Sequence, residues 1–387
     1  MNDLHSRSRL AGYDPQRLLA ARLLIVGAGA IGQNLALDLA LSGVGEIWIV
    51  DFDEFEPHNA TRSPLFPSAE ESARWGRRKA PAVAHKLRER MTAPGGRVRY
   101  ANAPIQECGE LPLFEADLVL AAVDTQAARA YLAERAKLLG VPLLEAGFHG
   151  AQLNLAFFGD GPEGPCYRCG APDKVGAFSC QRYALEAEAQ GVIPAVQTGA
   201  AALAAMQAET AIMYLLGQHT LWDQRVYMDL RSLELRTVRL VRNEHCPGVH
   251  HRGRVGGGPL DVTAGDRLAD LLEAARDRLP DAVPRLGEPV VMRNFCTLCG
   301  SLCDVRAPEW RWLRDTRCAD CGGPWPAASG RMPGSSTFVD ADDEELLALT
   351  CRQAGLAPGG FVEVEAGGDT RLLRLSGDLS EVLTEVA

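Results

Sequence analysis

The sequence predicts an α/β protein. A Rossmann-like, mostly parallel sheet with helices on both faces is followed by a C-terminal zinc ribbon and a small α/β tail. Three observations carry this reading. Short apolar runs alternate with helical patterns from Arg22 to Gly147, the first run leads into Gly27-Ala-Gly29-Ala-Ile-Gly32, and two Cys-x-x-Cys pairs at ribbon spacing stand near the C-terminal end.

Taken in order, RLLIVG (Arg22 to Gly27) reads as a buried strand and Ala28 to Leu41 as the helix after it. EIWIV (Glu46 to Val50) is the second strand, and a helix from about Lys79 to Met91 follows a loop. VRY (Val98 to Tyr100), LVLAAV (Leu118 to Val123) and PLLEAG (Pro142 to Gly147) continue the series. Unbroken apolar strands alternating with helices argue for a parallel sheet with right-handed crossovers, covered on both faces. Past Gly147 the pattern becomes hairpin-like (Leu153 to Phe158), then a small-residue helix from Ala195 to Gly217, then VYMDL and LELRTVRLV.

RGRVGGGPL (Arg252 to Leu260) is glycine-rich and aperiodic, as linkers are. Thr263 to Asp266 reads as a capping start for a helix from Arg267 to Leu279, and Pro326 to Ser336 as a second linker. The tail reads as a strand, a helix from Asp342 to Ala354, and two strands around Ala366-Gly-Gly-Asp369. No internal repeat is visible. The expected division is 1–251, 252–284 (linker and helix), 285–327 (zinc ribbon) and 328–387 (small α/β domain).

Composition bounds the function. A net charge of −10 leaves no global basic field for nucleic acid or an acidic membrane. No apolar run reaches the ~20 residues of a spanning helix, and MNDLHSRSRLAGYD lacks the apolar core of a signal peptide. A cytoplasmic enzyme is the expectation, and the Ala/Arg/Gly-rich composition points to a bacterial source. Six of the 11 cysteines form Cys-x-x-Cys pairs, which in a reducing compartment favours metal over disulfides.

Glycines between a strand and a helix let backbone amides approach a phosphate at the helix N-terminus. Asp51 stands where an acid takes ribose hydroxyls, so an NAD-dependent dehydrogenase fits this much equally well. The stretch IVDFDEFEPHNATR breaks the tie. Hydride transfer needs no second acid, arginine or lysine converging on phosphates. Asp53, Asn59, Arg62 and Lys79 lie in or just beyond the loop after strand two, and Asp124 ends another strand. Strand C-terminal ends line one crevice in an open parallel sheet. Carboxylates holding Mg2+, with Arg and Lys neutralising phosphate charge, describe attack at a phosphoryl group. A solvated loop would explain any one of these residues but not the set.

At this point the chain resembles the ubiquitin-activating-enzyme-like superfamily, which includes adenylyltransferases of thiamine and molybdopterin biosynthesis. The resemblance covers roughly Arg7 to His251. It runs through GAGAIG, GVGEIWIVDFDEFEPHNATR, Gly76 to Lys79, VDTQAAR, Glu145 to Gly150, and PCYRCG. It implies ATP- and magnesium-dependent adenylation of the C-terminal glycine carboxylate of a small ubiquitin-like or sulfur-carrier β-grasp protein. By position, Gly27, Gly29 and Gly32 would cradle phosphates and Asp51 would bind ribose. Asn59, Arg62 and Lys79 would contact phosphates, and Asp124 would help hold Mg2+. The family's homodimer sends an N-terminal arginine into the partner's site, a role for Arg9 or Arg7 here. Departures include Gln33, Ser63 and Thr125, where a small residue, a glutamine and an asparagine are usual.

Cys166-Tyr-Arg-Cys169 supplies half of a tetrahedral zinc site. In the family another Cys-x-x-Cys completes it. Here Cys246 is present, Val249 takes the second position, and His250 or His251 offers the fourth ligand. Cys296, Cys299, Cys318 and Cys321 form the ribbon, the two pairs separated by eighteen residues. Four protein ligands leave no open position, so both Zn2+ sites are expected to be structural.

Of the remaining thiols, Cys180 lies in AFSCQR, where Arg182 would favour the thiolate. The family can use a cysteine on this crossing loop to take the activated carboxyl as a thioester. A thiol with no role is the alternative. The ribbon and tail suit docking of a second protein, so the expectation leans toward ubiquitin-like conjugation with transfer to a conjugating enzyme. The rivals are a sulfur-carrier adenylyltransferase of cofactor synthesis and a catalytically inactive partner subunit.

Overall fold

The computed structural model describes residues 4–161, 163–170, 195–218, 221–246, 248, 250, 254–255, 257–296, 298–315, 317–318, 320–323, 335–366 and 369–387. They divide into two compact units. One comprises 1–105, 112–252 and 383–387, the other 106–111 and 253–382.

The first unit is built on a nine-stranded sheet. Its members are β1 (Arg22–Val26), β2 (Glu46–Val50), β3 (Arg97–Ala101), β4 (Leu118–Ala121), β5 (Leu143–His149), β6 (Gln152–Phe158), β7 (Gln224–Asp229), β8 (Glu234–Arg239) and β15 (Thr384–Glu385). The order is β15-β3-β2-β1-β4-β5-β6-β7-β8. The pairs β3–β2, β2–β1, β1–β4 and β4–β5 are parallel, while β6, β7, β8 and β15 join antiparallel. Every residue of β2 and β4 is buried, as expected of strands covered on both faces.

The helix Ala30–Ser42 follows β1 and ends at Gly43, whose φ of +93° supplies a left-handed cap. Along the chain, strand order runs outward through β2 and β3, then returns to place β4 beside β1. That reversal opens a crevice at the C-terminal ends of β1 and β4. The helix Gln197–Leu215 packs against the helix Ala30–Ser42. An amide exchange joins them: Gln197 Nε2 donates to Asn34 Oδ1 at 3.0 Å.

The second unit holds β9 (Arg254–Val255), β10 (Val283–Phe295), β11 (Leu302–Pro308), β12 (Ser335–Phe338), β13 (Phe361–Ala366) and β14 (Asp369–Arg374). One sheet runs β11-β10-β13-β14-β9, with β12 also on β10. The helix Leu268–Arg278 buries Leu268, Leu271, Leu272 and Ala275 in this unit's core.

Several local expectations change here. Val255 of the expected linker pairs with Leu372 as part of β9, and Ser335 and Ser336 begin β12. The helix from residue 268 is capped by Asp270, which accepts from the Arg267 amide at 2.8 Å, while Thr263 and Asp266 close a turn upstream. The expected helix from Asp342 to Ala354 is confined to Glu344–Leu347. The backbone beyond it bonds to 264–268 instead: Leu268 N to Leu349 O, Cys351 N to Asp266 O and Arg352 N to Ala264 O, each at 2.8 Å. Among the described residues no helix is long and apolar enough to cross a membrane.

Candidate functional site

The crevice is fixed by close backbone packing. The Ala122 amide donates to Val26 O at 2.8 Å, and a Cβ on Gly27 (φ +101°) would meet Ala122 O at 2.5 Å. A Cβ on Gly32 would stand 1.8 Å from Gly27 O, so only glycine lets the helix start this close to the strand. Gly29 differs, because nothing lies within 4 Å of where its Cβ would be. Gly29 is the N-cap of the helix and no side chain caps it. Open space therefore faces uncapped amides at the positive end of a helix dipole, an arrangement that favours an anion.

Asp51 sits beneath this loop, buried at the end of β2. Its Oδ2 accepts from the Ala28 amide at 2.6 Å and its Oδ1 from the Asp53 amide at 2.7 Å. A carboxylate has about four acceptor sites, so two remain for a ligand hydroxyl. Burial pushes the Asp51 carboxyl above its ordinary range, against the pull of nearby Lys79 and the two amides. Lys79 Nζ lies 2.9 Å from Asp53 Oδ2, and the Lys79 amide donates to Asp53 O at 2.9 Å. An antiparallel bridge between Glu54 and Arg78 pins the start of the helix Lys79–Arg88 to the loop after β2. Gly27, Gly29, Gly32, Asp51, Asp53 and Lys79 thus form one contiguous group.

The other candidate residues stand around it. Asn59 is buried in the 3-10 helix Pro57–Arg62, where its Oδ1 accepts from the Glu56 amide at 3.0 Å. Arg62 ends that helix and donates to His58 O at 2.9 Å. Asp124 is exposed just past β4. Arg9 is exposed on the last turn of the helix Ser6–Leu10, as is Arg7. Cys180 and Arg182 lie outside the described residues.

Three sets of contacts are not anticipated from the sequence, although Gln33 stands out there as a departure and Glu145 opens one of the resembling stretches. Gln33, fully buried, donates to Ala28 O at 2.9 Å and accepts from the Leu65 amide at 3.2 Å, tying the glycine loop to the segment after Arg62. Glu145, also buried, pairs with Arg129 through Oε1 and with Arg225 through Oε2 at 3.2 Å. Arg129 Nη2 donates to Val123 O at 2.6 Å and so holds the residue before Asp124. A charge inside the apolar run PLLEAG was the available signal. Lys137 is the third, buried near the cysteine cluster.

Cys166, Cys169, Cys246 and His250 form one candidate metal cluster, and Cys296, Cys299, Cys318 and Cys321 another, with ligand atoms in each within 4.8 Å of one another. With Zn–S about 2.3 Å and Zn–N about 2.0 Å, a tetrahedral site has edges near ~3.8 Å (S to S) and ~3.5 Å (S to N). Cys166 Sγ lies 3.9 Å from Cys169 Sγ and 3.6 Å from Cys246 Sγ, and His250 Nε2 lies 3.5 and 3.3 Å from Cys166 and Cys169. In the ribbon, Cys296–Cys321 and Cys299–Cys318 are each 3.6 Å apart. Both donor sets fit zinc. Burial holds the His250 imidazole below its ordinary range, which suits a neutral ligand. Chelation is expected to lower Tm, and a loss of even about 3 kcal/mol means roughly 6–12 °C in a domain of this size. Metal analysis finding no zinc in the purified chain would refute both sites.

The fold and site together define a Rossmann-like α/β protein with a glycine loop and an acid–lysine cluster at the sheet's switch point. The chain belongs to the ThiF family, which it matches over residues 6–248. It is 33% identical to the sulfur carrier protein adenylyltransferase of Thermus thermophilus over 242 residues, 60% of this chain and 83% of the relative. It is 30% identical to the Zea mays adenylyltransferase and sulfurtransferase MOCS3-1 over 231 residues, 59% of this chain and only 47% of that relative. The chain thus spans about half the length of the maize protein. Among solved structures, E. coli MccB with ATP superposes with a TM-score of 0.52 at 20% identity, covering 64% of this chain and 74% of that one. That likeness is one of fold.

Proposed function

We propose that the chain uses ATP to adenylate the C-terminal carboxylate of a small β-grasp protein of the ubiquitin-like or sulfur-carrier kind. The observation that carries the reading is the junction of the uncapped amides at Gly29 with the Asp51–Asp53–Lys79 cluster. An anionic ligand on those amides brings its phosphates beside the lysine and a ribose within reach of Asp51.

In this reading the substrate carboxylate attacks the α-phosphorus and pyrophosphate departs, leaving an acyl-adenylate. Lys79 and Arg62 neutralise charge growing on the phosphoryl oxygens, with Asn59 as a further contact. The exposed Asp124 carboxylate, opposite the glycine loop, suits a divalent ion, and Mg2+ there would screen the phosphates. Arg9 or Arg7 would serve the site of a second copy. Four-ligand zinc at each cluster is structural.

The name of the Thermus relative favours a sulfur carrier as the acyl substrate. Conjugation is the second reading, in which the Cys180 thiolate attacks the acyl carbon, AMP leaves, and the thioester passes to a conjugating enzyme. ATP–pyrophosphate exchange should appear only when a glycine-tailed β-grasp protein is added. Its absence with every such candidate counts against adenylation. Cys180→Ala is expected to keep that exchange and lose any thiol-sensitive covalent adduct on gels; an undiminished adduct excludes Cys180.

A further inference from the structure

Lys137 is only 3% exposed, on the helix Gln126–Leu139. Its Nζ donates to Gly159 O at 3.1 Å and Gly161 O at 2.7 Å, both on the loop that leads from β6 to Cys166. Lys137 and Cys166 line one small cavity together with Phe158 and Pro165. A Cβ on Gly164 would stand 3.1 Å from Nζ and 3.0 Å from Asp223 Oδ2, so the loop passes close over the ammonium. Burying an ammonium costs several kcal/mol unless its charge is compensated. Two carbonyls satisfy protons but carry no charge.

Burial pulls the Lys137 ammonium below its ordinary range, and the groups that oppose this pull are Asp223, Cys166, Asp160 and Cys169. Asp223 also accepts from the Gly159 amide through Oδ1 at 3.0 Å. A Zn2+ ion held by three thiolates and one neutral imidazole keeps one negative charge (+2 − 3 = −1). We propose that Lys137 is a positioning residue of the Cys166–Cys169–Cys246–His250 centre, its ammonium offsetting that charge while its two hydrogen bonds set the approach of the Cys166 loop. The inference rests on zinc occupying this centre. It gives the lysine a purpose that a purely apolar helix face would not need.

Zinc transfer from the full-length protein to a chromogenic chelator tests it, the relevant phase being identified by its loss in Cys246→Ser. Lys137→Gln keeps a donor toward Gly161 O without the charge. It should release zinc from that phase about tenfold more readily, in line with outer-shell substitutions elsewhere, and leave the ribbon phase unchanged. Asp223→Asn keeps the acceptor for Gly159 and removes a competing anion, so it should hold zinc no less tightly. Wild-type zinc affinity in Lys137→Gln would overturn the proposal even if Tm fell, because the lysine would then only pin the loop. Looser zinc in Asp223→Asn would overturn it as well, and this variant serves if the first does not fold. A wild-type protein without zinc at Cys166 removes the underlying zinc reading instead, so the two failures separate.

Discussion

Lys79→Met is expected to slow ATP–pyrophosphate exchange by about 10²–10³-fold, the loss typical when one preorganised donor to a developing oxyanion is removed. The stability cost should be far smaller, about 1 kcal/mol or less, because the Asp53 carboxylate it pairs with is 45% exposed. Its pH dependence is informative. Burial already holds Asp51 above the ordinary carboxylate range, and Lys79 is the first of the influences opposing that rise. Without the lysine Asp51 rises further. A carboxyl raised in the folded state binds its proton more tightly there than when unfolded, so stability falls as pH climbs from the unfolded to the folded value. The deficit of Lys79→Met should therefore be small at acid pH and grow as pH rises, as read by urea titrations. Exchange at the wild-type rate would take Lys79 out of the phosphate machinery.

What made this site legible in sequence was its locality. Gly27 to Gly32 and Asp51 to Lys79 each follow directly on a strand buried on both faces, and EIWIV reads as β2 with the same bounds. The Cys-x-x-Cys pairs are equally local. The parts that could not be read depend on distance along the chain. Glu145 meets Arg129 across 16 positions and Arg225 across 80, and the Lys137 carbonyls lie 22 and 24 residues away. No window of sequence holds those partners together. β10 contains Pro284 and Pro289, which argue against a strand. Pro289 falls where the register against β12 shifts, between Arg285 and Val290, while Pro284 stays in register with Val364 and its carbonyl accepts from the Val339 amide at 2.9 Å. The short helix Glu344–Leu347 shows the opposite effect, with tertiary backbone pairing overriding a local helical pattern.

Glu145→Gln should destabilise the first unit by about 3–5 kcal/mol, the usual consequence of removing one partner from a buried ion network. Glu145 is buried at the centre of β5, and the Arg129 and Arg225 side chains are only 13% and 20% exposed. With the carboxylate gone, two guanidiniums share a space that water barely enters, and a neutral amide offers them one accepting oxygen instead of two and no negative charge. Arg225→Met should cost less, because Glu145 keeps Arg129 and the remaining pair balances one charge against one. The same network reaches the crevice: Arg129 holds Val123 O, and Asp124 follows it. Glu145→Gln is therefore expected to weaken exchange as well as stability, whereas Arg225→Met, leaving the Arg129–Val123 bond in place, should mainly affect stability. Denaturant midpoints measured beside exchange rates distinguish the two variants. A loss below about 1 kcal/mol in Glu145→Gln would mean the arginines find solvent or other acceptors, and the network would then be no anchor for the Asp124 loop.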